Sequence, residues 1–173
     1  MAQSFHLSFR LIDDLCSLDN ALASTVFPTE NVIYPASLKV NETTESKDMV
    51  NYIGLEITSV GSKFILDIFD KRKTFPFSVI RYPHASSALP RRMAENVFIG
   101  QLHRYYFICS RRQSFMKATV TLTQAFLQKG YTLNMLVKLF RGFCRKQQSA
   151  SVPHLALVQS LRGKLFSRTG NGV

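Results

Sequence analysis

The sequence predicts an α+β fold in which antiparallel β-hairpins come first and a three-helix bundle follows. Apolar and polar residues alternate in the first part of the chain, which is the period of half-buried strands. From Arg91 onward the apolar residues instead recur at the spacing of an amphipathic helix. At 173 residues and 46% apolar content, the chain has the size of one domain and enough material for a core.

The first predicted element is a hairpin formed by residues 5–11 and 14–18. Apolar residues alternate with polar ones up to Leu11, and a second apolar run starts at Leu15. Asp13 and Asp14 separate the two runs, so the sequence predicts a hairpin with two carboxylates at its tip.

Two interpretations of this aspartate pair stay open. Asp is favoured in turns because its side chain bonds nearby backbone, so a solvated turn explains Asp13 and Asp14 without any function. Paired carboxylates on a rigid turn are also what a divalent metal site for phosphoryl transfer uses, since Mg²⁺ prefers hard oxygen ligands.

A second hairpin is predicted further along, from residues 50–58 and 63–69, with Gly61 and Ser62 at its turn. Between the two hairpins the sequence predicts an irregular connection with a possible short strand at 36–40. The second hairpin is expected to extend the sheet that the first one begins.

Three helices are predicted between Arg91 and residue 148. Ser110 is a candidate N-cap for the second helix, Gly130 a candidate C′ residue that ends it, and Thr132 a candidate cap for the third. The residues expected to face the core are Val97, Leu102, Tyr105, Tyr106 and Cys109 in the first helix, Phe115, Thr119, Leu122 and Phe126 in the second, and Met135, Leu136, Leu139, Phe140 and Phe143 in the third.

Charge is distributed unevenly along the chain, whose formal net charge is +11. Residues 1–60 carry a net charge of −5, whereas residues 61–173 carry +16. Such asymmetry predicts a basic surface that meets a polyanion, and nucleic acid is the expected partner because phosphate neutralisation supplies most non-specific affinity. A basic domain that is merely soluble is the alternative.

Several segments occur in the order of landmarks of one retroelement family. Residues 10–15, Arg-Leu-Ile-Asp-Asp-Leu, resemble the aromatic-x-Asp-Asp box of reverse transcriptases. Residues 52–57 are similar to a Phe-Leu-x-Leu-x-Ile strand, residues 67–77 to a Tyr-Asp-Lys-Arg segment, and residues 100–104 to a Ser-Gln-Leu-Ile-Arg helix. Over about residues 5–148 the chain therefore resembles the reverse transcriptase domain of Penelope-like eukaryotic retroelements.

The resemblance implies the back half of a right-hand polymerase. Residues 1–80 would be a palm remnant with palm-type hairpins, residues 81–148 a thumb-like helical region, and residues 149–173 a basic, partly disordered tail. Asp13 would hold Mg²⁺ or Mn²⁺ most directly, with Asp14 beside it. A third carboxylate is expected upstream of the chain, so the chain alone should not synthesise DNA, and an upstream polymerase segment would be a partner.

The resemblance also implies that basic side chains of the helices follow the backbone of an RNA/DNA primer–template without reading its sequence. These residues are Arg104, Arg111, Arg112, Lys117, Lys138, Arg141, Arg145 and Lys146.

Two further hypotheses stay open beside the polymerase fragment. The chain could be a repurposed nucleic-acid-binding module without catalysis, or a decayed retroelement copy with a structural or protein-interaction role. A filter-binding assay separates these two, because only the first retains nucleic acid.

The remaining sequence features concern location. Three cysteines, an odd number without close spacing, argue against a disulfide framework, and no Cys/His cluster has zinc-ligand spacing. No signal peptide and no run of 18 apolar residues are present. We therefore expect an intracellular protein of the nucleus or cytoplasm, neither secreted nor bound to a membrane.

Overall fold

The computed structural model describes residues 8–11, 14–18, 41–44, 46–77 and 79–147. Its strands are β1 (Ser8–Leu11), β2 (Asp14–Ser17), β3 (Met49–Tyr52), β4 (Leu55–Val60) and β5 (Lys63–Ile68), followed by a short 3-10 helix (Lys71–Thr74). Three helices complete the described part of the chain, α1 (Arg91–Ile108), α2 (Arg112–Leu127) and α3 (Leu133–Lys146). This order confirms the predicted α+β class.

Strands β1 and β2 form the predicted first hairpin, with Ser8 opposite Ser17 and Leu11 opposite Asp14. The hairpin is a two-stranded sheet separate from the other strands. Its alternation predicts a buried apolar side, but Phe9 and Leu11 are about half exposed, whereas Cys16 is buried. The prediction of burial is wrong because period-2 alternation defines two faces without saying whether anything covers the apolar one.

The second sheet is an antiparallel meander in the order β3-β4-β5. The predicted single strand over residues 50–58 is wrong, since a turn at Ile53 and Gly54 splits it and pairs Tyr52 with Leu55. The sequence itself indicates this break. Leu55 follows Tyr52 by three residues instead of two, which interrupts the alternation expected of a continuous strand. The predicted Gly61-Ser62 turn is confirmed, with Val60 opposite Lys63.

The main core lies among the three helices, where Phe98, Leu102, Phe126, Leu136 and Phe140 are fully buried. Most of the predicted core residues are buried or partly buried in this cluster. In α1, Val97 is an exception: it is exposed, and its neighbour Phe98 takes the core position. The Phe98 ring fills the space between the helices. It packs edge-on against the Phe126 ring, with 5.2 Å between the two ring centroids.

The turn between α2 and α3 is built on Gly130, as predicted. Gly130 has a φ of +82°, and its N–H donates to the Leu127 carbonyl at 3.0 Å. The N–H of Tyr131 donates to the Phe126 carbonyl at 3.2 Å, and the two rings pack at a tilted angle with their centroids 5.2 Å apart. These two bonds and the ring contact are the features of a Schellman motif, which sets the direction in which α3 leaves the turn.

Residues 109–111, between α1 and α2, join the helices to the meander. Ser110 donates its N–H to the Leu66 carbonyl at 2.9 Å, and its hydroxyl accepts from the Leu66 N–H at 3.0 Å. The predicted capping role of Ser110 is therefore wrong: Arg111 occupies the N-cap position of α2, and the Ser110 side chain bonds the edge of β5 instead. The bonds satisfy a strand edge that would otherwise be unpaired.

A group of charged side chains, which we call the clasp (Asp70, Arg72 and Arg81), links the end of β5 to the helices. Asp70 accepts from Arg72 Nε at 2.7 Å, and Arg81 Nη1 lies 3.9 Å from the same carboxylate. Arg81 also donates to the side chain of Gln101 in α1 at 2.7 Å. Partial burial opposes ionisation of Asp70, but the bonds and charge of Arg72 lower its pKa.

Candidate nucleic-acid interface

Helix α3 has two opposite faces of different chemistry. Leu136, Val137, Phe140 and Phe143 are buried, and they hold the helix against α1 and α2. The opposite face carries a polar row that we call the α3 stripe, made of Asn134, Lys138, Arg141 and Arg145. The stripe steps by four, three and four residues, so its members lie within a sector of roughly 60° on the helix.

The members of the α3 stripe are accessible to a ligand. Asn134, Lys138 and Arg145 are exposed and Arg141 is partly exposed. The row runs for roughly 16 Å along the helix axis, at about 1.5 Å per residue. Lys146 extends the positive charge to the last turn of α3. The arrangement therefore presents cations along one edge of the bundle.

The acidic residues from Asp67 onward are all engaged by arginines in the described part of the chain. Asp67 pairs with Arg111 at 3.0 Å, Asp70 with Arg72, and Glu95 with Arg91 at 3.3 Å. After Glu95 the sequence contains no further acidic residue. These three carboxylates therefore do not offset the positive field of the α3 stripe, and this favours an anionic ligand.

The only acidic group that α3 itself could supply is the Cys144 thiol. Burial raises the pKa of Cys144 to about 11, so the thiol is uncharged at neutral pH. The helix consequently carries no negative side chain under physiological conditions.

The predicted basic residues divide into three groups. Lys138, Arg141, Arg145 and Lys146 share the outer side of α3, as described above. Arg111 is engaged by Asp67 in β5, so its guanidinium joins the sheet to the bundle. Arg104 lies against the β3–β4 turn, where a Cβ added at Gly54 would come within 2.7 Å of its Nη2 atom. Arg112 and Lys117 are exposed on α2.

Asn134 is the member of the stripe that the sequence analysis does not predict. An amide carries no charge, so the pattern of positive charge does not include it. Its signal is positional, since Asn134 precedes Lys138 by four residues and Arg141 by seven, which places all three on one helical face.

The predicted metal site lies only partly within the described residues. Asp14 is exposed at the start of β2, and Asp13 lies outside the described residues. In the part of the chain that the structure describes, no group of three or more His, Cys, Asp or Glu side chains could hold a metal ion. Mg²⁺ or Mn²⁺ binding by Asp13 and Asp14 therefore stays a prediction.

The helical part of the chain is similar to a known family. Residues 81–141 match the family model of the animal helix-turn-helix domain. The match begins at Arg81 in the clasp, includes α1, α2 and the Gly130 turn, and ends at Arg141 in α3. No curated protein matches the chain, and no solved structure matches it.

This match overturns the predicted reverse transcriptase domain. The segment that the resemblance assigns to a thumb is similar to a helix-turn-helix domain instead, and nothing in the described architecture identifies a polymerase palm. The resemblance is carried by short pieces such as the Asp-Asp pair at a predicted turn. Turn chemistry favours such residues in unrelated folds, which explains why the order of these pieces misled.

None of the helices in the described ranges is long and apolar enough to cross a bilayer.

Proposed function

We propose that the chain is a DNA-binding module in which α3 is the recognition helix. The observation that carries the proposal is the match of residues 81–141 to a helix-turn-helix model, together with the α3 stripe on the second helix of that motif. In helix-turn-helix proteins the second helix lies in the major groove and the first crosses the backbone. Here α2 and α3 would take these two positions.

The dimensions and chemistry of the α3 stripe suit the major groove of B-DNA, which is about 12 Å wide and admits an α-helix. Side chains near the N-terminus of a recognition helix reach the base edges. We therefore assign base contacts to Asn134 and Lys138, since an amide pairs with adenine and an ammonium group with guanine. Arg141, Arg145 and Lys146 follow further along and would bind phosphates.

The start of each helix supports binding to an anionic backbone. Neither α2 nor α3 has an acidic residue in its first turn or a side chain that caps its N–H groups. Free N–H groups at a helix start attract phosphate. Arg112, in the first turn of α2, would add a phosphate contact there. A module that binds DNA acts inside the cell, where the DNA is.

The test is the affinity of the full chain for a fluorescently labelled DNA duplex of about 25 base pairs, measured by anisotropy at several salt concentrations. We expect K138Q/R141Q/R145Q to weaken binding at least ~10-fold and to lower the slope of log affinity against log salt by about 1.8, at about 0.9 for each of the two phosphate contacts that Arg141 and Arg145 would lose.

A variant with the same change in charge serves as the control. Lys63, Lys71 and Arg92 are exposed and lie outside α3, so K63Q/K71Q/R92Q should reduce the affinity much less. If both triple variants weaken binding equally, only the net charge matters and the role of α3 is contradicted.

A further inference from the structure

The loop that precedes α1 is hydrogen-bonded to the turn between α2 and α3. The N–H of Ala85 donates to the Lys129 carbonyl at 2.8 Å. The His84 ring lies against Gly130 in the same turn, where an added Cβ would come within 3.3 Å of the ring Cε1 atom and 3.4 Å of Nε2. The family match begins at Arg81 and so includes this loop. Loop and turn therefore form one surface beside the start of α3.

Two contacts determine which nitrogen of the His84 ring carries the hydrogen. The N–H of Ser86 donates to Nδ1 at 3.2 Å, and the Ser86 hydroxyl lies 2.8 Å from the same nitrogen. A backbone N–H can only donate, so Nδ1 accepts and the neutral ring carries its hydrogen on Nε2. Because His84 is exposed, and because Nε2 has no hydrogen-bond partner among the described residues, this N–H is available to a ligand.

The surroundings of this N–H donor favour an anion. The sequence contains no acidic residue at positions 82–90 or 128–134. Lys129, which is partly exposed in the α2–α3 turn, adds a positive charge. Asn134, the first member of the α3 stripe, follows the turn in the first residues of α3. Side-chain donors in such positions bind phosphate oxygens in protein–DNA complexes.

We propose that His84 is a DNA contact outside α3, whose Nε2–H donates to a phosphate oxygen at the edge of the major groove. The inference rests on the proposed function, because it requires the first turn of α3 to lie in that groove. The groove is about 12 Å wide and has a phosphate backbone on each side. A donor beside the turn that precedes the recognition helix is then within reach of one backbone, and such a contact fixes the register of the helix without reading sequence.

The test compares two substitutions that separate the roles of the two ring nitrogens. In His84→Asn the side-chain oxygen accepts from the Ser86 N–H, as in an Asx-turn, but no donor reaches the position of Nε2. In His84→Gln the longer amide places an N–H donor there and loses the Ser86 bond. A phosphate contact therefore predicts that H84Q binds DNA more tightly than H84N, whereas a purely structural role of the ring predicts the reverse order.

Affinity is measured by fluorescence anisotropy, with a duplex that the full chain has selected from a randomised pool. We expect H84N to weaken binding roughly 5- to 10-fold, as for the loss of one hydrogen bond to a charged group, and H84Q to regain most of this loss. His84 is exposed, so both variants should unfold at the temperature of the wild type.

A second measurement identifies the phosphate itself. Duplexes in which one phosphate at a time is replaced by an uncharged methylphosphonate are bound to the wild type and to H84N. At one position the replacement should weaken the wild type at least ~5-fold and H84N less than ~2-fold, because the two changes remove the same contact.

Three results would overturn the inference: H84N binding like the wild type, H84N binding more tightly than H84Q, or methylphosphonates that affect H84N and the wild type equally at every position. The α3 variant K138Q/R141Q/R145Q is measured alongside. If this variant loses affinity and the His84 variants do not, the role of α3 stands and that of His84 is excluded. If the α3 variant also binds like the wild type, the proposed function itself fails.

Discussion

At the scale of single residues, two positions depart from ordinary preferences. Ile53 has a φ of +47°, a left-handed conformation that β-branched residues rarely adopt. Thr119 is fully buried, and its hydroxyl has no hydrogen-bond partner in the described part of the structure. Both positions store unfavourable energy that a suitable substitution would release.

Ile53 and Gly54 form the two central residues of the β3–β4 turn, and both have positive φ. Asn-Gly is the preferred pair for a turn of this kind, because Asn tolerates the left-handed region. We expect Ile53→Asn to stabilise the protein by about 1 kcal/mol. Urea unfolding of the two chains measures this difference, and a destabilised variant would show that the Ile53 side chain makes contacts worth more than the strain.

Thr119 and Thr123 are both fully buried on α2 but differ in hydrogen bonding. The Thr123 hydroxyl donates to the Thr119 carbonyl at 2.8 Å, whereas the Thr119 hydroxyl is unpaired. We expect Thr119→Val to stabilise the fold by about 1 kcal/mol and Thr123→Val to destabilise it by a similar amount. Denaturant unfolding of both variants checks the prediction, which is wrong if the two shifts have the same sign.

At the scale of elements, a few hydrogen bonds and ion pairs between the sheet and the bundle fix the position of the helices against the sheet. Ser110 and Arg111 tie the α1–α2 connection to β5, and the clasp ties the 3-10 turn to α1. None of these contacts belongs to the periodic pattern of a helix or strand. They join residues far apart in the sequence, such as Leu66 and Ser110.

The clasp makes stability depend on pH in a defined direction. Because the pKa of Asp70 is lowered in the folded chain, its ionised form contributes stability at pH values above its ordinary pKa near 4. This contribution is lost as the pH falls through the lower, folded-state value. We expect Asp70→Asn to cost about 1 kcal/mol at pH 7 and progressively less in acid, as measured by thermal unfolding from pH 7 to pH 2.

Glu95 provides a matched control for the clasp. It pairs with Arg91, whose side chain is largely exposed, and exposed pairs contribute little to stability. Glu95→Gln should therefore change the free energy of unfolding by less than ~0.5 kcal/mol. A cost at Asp70 that does not diminish in acid would mean that packing, and not charge, holds the clasp together.

At the scale of the whole molecule, shape should decide which nucleic acid is bound. The major groove of B-DNA admits a helix, whereas that of A-form RNA is too narrow for side chains to read. We expect the chain to bind a DNA duplex about 10-fold or more tightly than an RNA duplex of the same sequence and length at 150 mM salt. A filter-binding competition measures the ratio, and equal affinities would indicate charge attraction without groove recognition.

How much of the protein is predictable from sequence differs between elements. The helices and the Gly130 turn follow from local chemistry, because periodic apolar residues and a glycine in the left-handed region leave few other conformations. The split of one predicted strand at Ile53 and Gly54 was readable from the break in alternation. The sequence did not predict that Phe9, Leu11 and Val97 are exposed, because the burial of a side chain depends on which other parts of the chain lie opposite it.

By itself, the sequence determined the α+β class, the position of the three helices and the concentration of positive charge in the second part of the chain. These depend on residue spacing and composition, which are local properties. Only the tertiary structure decided which cations contact the sheet and which remain accessible. Arg104 and Arg111 are directed to the sheet, while Asn134, Lys138, Arg141 and Arg145 form one row on α3. That division depends on contacts between residues distant in the sequence, and such contacts leave no periodic trace in it.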